Sequence, residues 1–216
     1  MDERRRAHPA RRLRLDAPAT VHQQQRPRRP QSPPSDFNCA DELERFPRDA
    51  QHTPAWLAQG AARGRRATQI YDRLEHALAH WLSTQEDAER IDIDSLALGR
   101  RTALRTTLTL TNGTTHHDID LPDQVTSAIT AITTELRGPQ TQANPHAGAW
   151  TREQISMETD DLKLVTFYEW DYDPGFTDTD CADELHLHPR DAQHTPTWLA
   201  QGAERAHHQP NKPTTP

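Results

Sequence analysis

Residues Cys39 to Gly60 return almost unchanged as Cys181 to Gly202. Of these 22 positions only 44, 45, 46 and 55 differ from their partners 186, 187, 188 and 197. Identity extends to Gln51 and Gln59, polar residues that few folds would dictate. Two copies 142 residues apart do not make a solenoid, which needs several adjacent units to bury a core. The arrangement predicts one domain whose tail occurs at its proper place and again as a leftover copy over residues 35–64. The core of that domain must then lie between the copies.

The apolar residues agree with that placement. They make up 33% of the chain, against roughly 45–50% in a typical soluble domain, and Pro reaches 17. One core is affordable, and the apolar runs concentrate between Ala67 and Phe176. Residues 1–34 are Arg, Pro and Gln with almost nothing apolar, so they cannot offset the entropy of ordering. A disordered basic tail is expected there, and a second disordered tail over 203–216.

Charge is divided along the chain. Residues 1–34 carry nine Arg against Asp2, Glu3 and Asp16, whereas residues 149–191 carry twelve carboxylates against Arg152, Lys163 and Arg190. An acidic end on a chain of net charge −7 argues against nucleic acid and suits a basic protein surface. Two Cys, one in each repeat copy, form no disulfide framework. No apolar run approaches the roughly 20 residues of a membrane span, and the Arg-rich start lacks the apolar stretch of a secretory signal. A cytoplasmic protein is expected.

Each repeat copy reads as two short helical turns. Asn38 or Asp180 caps the first, and Pro47 or Pro189 ends it. Thr53 or Thr195 caps the second, with Pro54 or Pro196 at its first position. Gly60 or Gly202 closes it as a left-handed stop. Trp56-Leu57 and Trp198-Leu199 are too short to hold a helix alone and need a groove to enter. For the second copy, that groove is on its own domain.

Between the copies, Ile70, Leu74, Leu78 and Trp81 or Leu82 form one helical stripe. Arg90–Leu98 and Thr102–Thr111 read as strands. Asn112-Gly113 signals a hairpin into a short polar strand, Thr114–Ile119. Val125, Ile129, Ile132 and Leu136 mark a second helix ended by Arg137-Gly138-Pro139. A last hairpin joins Trp150–Met157 to Leu162–Tyr172. This order predicts an α+β fold, an antiparallel sheet covered on one face by two helices.

The last strand carries the densest chemistry. Alternation puts Leu164, Thr166, Tyr168, Trp170 and Tyr172 on one face, and Val165, Phe167, Glu169, Asp171 and Asp173 on the other. Asp178, Asp180, Asp183 and Glu184 follow. Acid–base catalysis needs a pocket and a partner group, and no nucleophile or Gly-rich loop is visible. A calcium loop would need more ligands and a central Gly. Zinc at Cys181, His186, His188 and His194 is argued against by the first copy, where Glu44 and Phe46 replace two of the histidines. No catalytic residue, metal or cofactor is therefore assigned. Two readings remain open: a solvated strand end, or an acidic patch of Glu169, Asp171, Asp173, Asp178, Asp180, Asp183 and Glu184, with Trp170 and Tyr172 as aromatic anchors or as core residues of the sheet.

In order, the chain carries Leu121-Pro122 ahead of a helix, Gly148-Ala149-Trp150, and Tyr168-Glu-Trp-Asp-Tyr-Asp-Pro174. Asp183-Glu-Leu185, Pro189-Arg-Asp191 and Pro196-Thr-Trp-Leu199 follow. This series resembles the bacterial YezG-like antitoxin or immunity protein family, with coverage of about 67–202 and residues 177–202 as a C-terminal strap. The resemblance implies a small cytoplasmic α+β protein that neutralises a cognate toxin, commonly a nuclease, without catalytic residues or cofactor. A structural adaptor or fusion remnant that self-associates through the duplicated Trp-Leu motif is the alternative expectation.

Overall fold

The computed structural model describes residues 36–139 and 146–208. The basic tail expected at 1–34 and the last residues, 209–216, lie outside them. Two helices open the described chain, α1 (Asp36–Arg45) and α2 (Ala55–Leu82). Strands β1 (Ala88–Leu98), β2 (Arg101–Leu110) and β3 (Thr115–His117) follow, then helix α3 (Asp123–Ala131), which continues as a π-helical turn, Ile132–Leu136. Strands β4 (Arg152–Glu158) and β5 (Val165–Glu169) precede helices α4 (Asp178–Leu187) and α5 (Thr197–His208). The sheet is antiparallel, in the order β3-β2-β1-β4-β5.

The expected layering is what forms. Ile70, Leu74, Leu78 and Leu82 of α2 are at most 1% exposed, as are Val125, Ile129 and Ile132 of the α3 segment. They enclose Ile91, Ile93, Ile155 and Met157 on one face of the sheet. Burying each such side chain contributes roughly 1.5–3 kcal/mol, so this single layer supplies most of the drive to fold. Trp150 closes the core at the end of the sheet where the β1–β2 turn lies. The opposite face carries Asp92, Asp94, Arg152, Gln154 and Phe167, and α4 and α5 pack on Leu98 at one end of it. An antiparallel sheet tolerates such one-sided burial because its two sets of side chains alternate.

The Asn112-Gly113 hairpin is present: Gly113 has φ +81° and the Leu110 amide donates to the Thr114 carbonyl. β5 is shorter than expected, because the chain leaves the sheet after Glu169.

Both repeat copies fold alike. α1 and α4 have matching bounds 142 residues apart, and so do the starts of α2 and α5. Cys39, Leu57 and Ala61 form one small core, and Cys181, Leu199 and Ala203 form its counterpart with Leu98 of the sheet. Three expectations are corrected here. α2 runs unbroken through residues 60–67, so the first copy is continuous with the domain's first helix; Ala61-Ala62-Arg63 and Arg65-Arg66-Ala67 are strong helix formers. Gly60 and Gly202 lie inside helices and are not left-handed stops. At Gly202 a Cβ would stand 2.5 Å from the Cys181 sulfur, so glycine is what lets α4 and α5 touch. α5 consequently continues to His208, into the segment expected as a tail. Finally, Thr177 caps α4 in a reciprocal box with Asp180, while Thr53 and Thr195 donate to the carbonyls of Asp49 and Asp191.

Candidate protein-binding face

The sheet face opposite α2 and α3 is built from cross-strand rows. Arg105, Asp94, Gln154 and Phe167 form one, and Thr107, Asp92, Ser156 and Val165 the next. Arg152 and Glu169 stand opposite each other in a third. At its β5 margin, Val165 is 61% and Phe167 59% exposed, side by side on an edge strand. Exposed apolar residues on a sheet edge are a feature that soluble proteins ordinarily blunt.

The charges beside this strip are mostly tied to one another. Arg152 reaches Asp94 at 2.8 Å and Glu169 at 3.2 Å, and its guanidinium stacks over Tyr172 at 4.5 Å. Burial lowers the Arg152 pKa, but its two carboxylate partners outweigh this and raise it overall. Arg90 holds Asp92 at 2.7 Å and Glu158 at 3.3 Å. These half-exposed pairs contribute modestly to stability. Their main effect is to leave a nearly neutral floor next to the apolar strip.

The seven carboxylates expected as one patch divide into four groups. Glu184 is fully buried, bonded to Arg137 at 2.6 Å and to the Gly99 amide at 2.7 Å, with Arg190 at 3.7 Å. It faces the protein's own arginines because α4 lies against the β1–β2 turn, so it is removed from any contact surface. Glu169, Asp178 and Asp180 pair with Arg152, Arg205 and Arg101. Arg205 lowers the Asp178 pKa. Burial opposes ionisation of Asp180, but hydrogen bonds from Thr177 hold its pKa below the usual value. Asp183 is half-buried and leaves no room for a Cβ at Gly99, whose φ is +58°. Asp171 and Asp173 are exposed; Asp173 accepts a bond from the Gly175 amide at 2.9 Å.

Of the aromatic candidates, Trp170 is 38% exposed with its ring near that of Tyr168 on the core side of the sheet, and Tyr172 lies half-buried under Arg152. Trp198 donates to the Asp171 carbonyl at 3.0 Å, and Leu199 is buried against Leu98. The strap thus fixes the loop that carries Asp171. In the first copy Leu57 is buried and Trp56 is 58% exposed. Among the described residues no three His, Cys, Asp or Glu side chains are grouped to hold a metal. Burial pushes the Cys181 thiol up to about 11, which keeps it protonated and unreactive at neutral pH.

Two features were not foreseen from sequence. The first is the latch joining the strap to the sheet, formed by Glu184, Arg137 and Arg190. Arg190 donates to the carbonyls of Ala149 at 2.5 Å and Trp170 at 2.9 Å, and its side chain fills the space over Gly148, whose φ is +68°. The second is Glu153, buried on the core face of β4. It accepts a hydrogen bond from Tyr71 at 2.8 Å, and the Tyr71 hydroxyl also bonds that of Tyr168. Burial pushes the Glu153 carboxyl up to about 7 and raises both tyrosines above their usual range. The signal was present in the alternation Glu153, Ile155, Met157, which places all three inward.

No helix among the described residues is long and apolar enough to cross a membrane. Neither a family model nor a curated protein matches this sequence.

Proposed function

We propose that this chain is a binding protein of the antitoxin or immunity type, acting in the cytoplasm by covering a surface of a cognate toxin without catalysis. The reading rests on the resemblance drawn from residues 121–199 and on one observation above all. Val165 and Phe167 present adjacent apolar side chains, each about three-fifths exposed, on the sheet face opposite α2 and α3. An apolar centre bounded by a polar rim is how protein interfaces are commonly arranged. Asp171 and Asp173 add the exposed negative charge that steers a cationic partner. The partner contact is therefore centred on β5, and the acidic patch reduces to its margin.

The experiment is a titration against the toxin-like domain encoded beside this chain, a nuclease being the expected class. Phe167→Asp should weaken binding at least tenfold, ~1.4 kcal/mol, with no change in thermal stability. Asp171→Lys with Asp173→Lys should chiefly slow association at low salt. Wild-type affinity in the Phe167→Asp protein would reject β5 as the contact.

A further inference from the structure

The strap is held to the sheet end by three side chains, and their partners are largely backbone groups. Glu184 takes the Gly99 amide and Arg137, Arg190 donates to the Ala149 and Trp170 carbonyls, and Trp198 donates to that of Asp171. The first repeat copy carries the same three residues as Glu42, Arg48 and Trp56. None of the four differing positions belongs to this set. The copy is also folded as the strap is, with matching helix bounds and a matching small core. Yet Glu42 and Arg48 bond each other at 2.9 Å with 41% of each side chain exposed, and Trp56 stands 58% exposed. A hairpin already shaped for the sheet-end site thus displays its latching residues to solvent.

We infer that α1 and the start of α2 dock at the sheet-end site of a second copy of this chain, replacing its α4–α5 strap, and that the exchange is reciprocal. The site accommodates a helix of the required length. α5 extends to His208, which corresponds to Arg66, one residue before α2 enters its own core at Ala67. Backbone acceptors do not discriminate between two hairpins with the same donors. What favours the resident strap is tethering, which gives it an effective concentration on the order of millimolar. Exchange is therefore a minority state at micromolar protein and grows with concentration or with weakening of the strap.

The test is the mass of the full-length chain by sedimentation. Arg190→Ala with Trp198→Ala weakens the strap and should double the mass at tens of micromolar. Adding Arg48→Ala and Trp56→Ala should return it to monomer. A folded strap variant that stays monomeric overturns the inference, and so does a doubled mass that survives the added substitutions. Should the strap variant lose its helical circular dichroism, the wild-type chain decides at hundreds of micromolar. Reversible dimerisation lost on Arg48→Ala with Trp56→Ala upholds exchange, and a monomer throughout, or a dimer unchanged by those substitutions, refutes it. Because these substitutions leave Phe167 untouched, loss of exchange and loss of toxin binding are separable.

Discussion

At the scale of single residues, the same side chain has a different energetic role in each repeat copy. Glu184 is buried between two arginines, whereas Glu42 meets Arg48 at the surface. Removing one partner of a buried pair strands the other charge, so Glu184→Ala should cost about 3–5 kcal/mol in urea unfolding. Glu42→Ala should cost under about 1 kcal/mol. Equal costs would contradict the burial difference. Glu153 adds a pH dependence. It titrates near ~4.3 when unfolded but near 7 in the fold, so between those values the native state keeps a proton that the unfolded chain has released. Stability therefore falls as pH rises across that window and levels off above it, by on the order of 3 kcal/mol. Glu153→Gln should remove this slope, and a wild-type-like slope in that variant would assign it to other groups. The inward position of Glu153 was legible from alternation in β4. The partners of Glu184 were not, since Arg137 lies 47 residues away and only the fold joins them.

Among the elements, local patterns marked the helices that pack on the sheet. Apolar spacing located the buried part of α2 and all of α3, and Asn112-Gly113 located a hairpin. The first turns of α2 lacked such a stripe, being Ala- and Arg-rich, and Gly60 looked like a terminator. Glycine inside a helix is costly, and here its use is steric: α4 and α5 meet where Gly202 faces Cys181. Gly202→Ala should overpack that contact and lower stability by about 1–3 kcal/mol, read as a lower midpoint in urea at an unchanged slope. A stabilised variant would show that the helices can separate without loss. The alternation along 162–173 predicted correctly that Val165, Phe167 and Glu169 share a face. It overextended the strand, because residues after Glu169 follow contacts with Arg190 and Trp198 that lie outside the local pattern.

For the molecule as a whole, composition anticipated one core. It did not show how the carboxylates would be allotted. Arg101 of β2, Arg152 of β4, Arg205 of α5 and Arg137 after the π-helical turn pair with four of the seven expected in the patch, so charge density along the chain overstated the surface potential of the fold. What remains to recognise a partner is an apolar strip on β5 with Asp171 and Asp173 at its margin. Hydrogen–deuterium exchange of the chain with and without the proposed toxin domain measures this directly. The account predicts new protection confined to β5 and the loop through Asp173, with α2 and α3 unchanged. Protection concentrated on the α2–α3 side, leaving β5 exchanging as in the free protein, would contradict it.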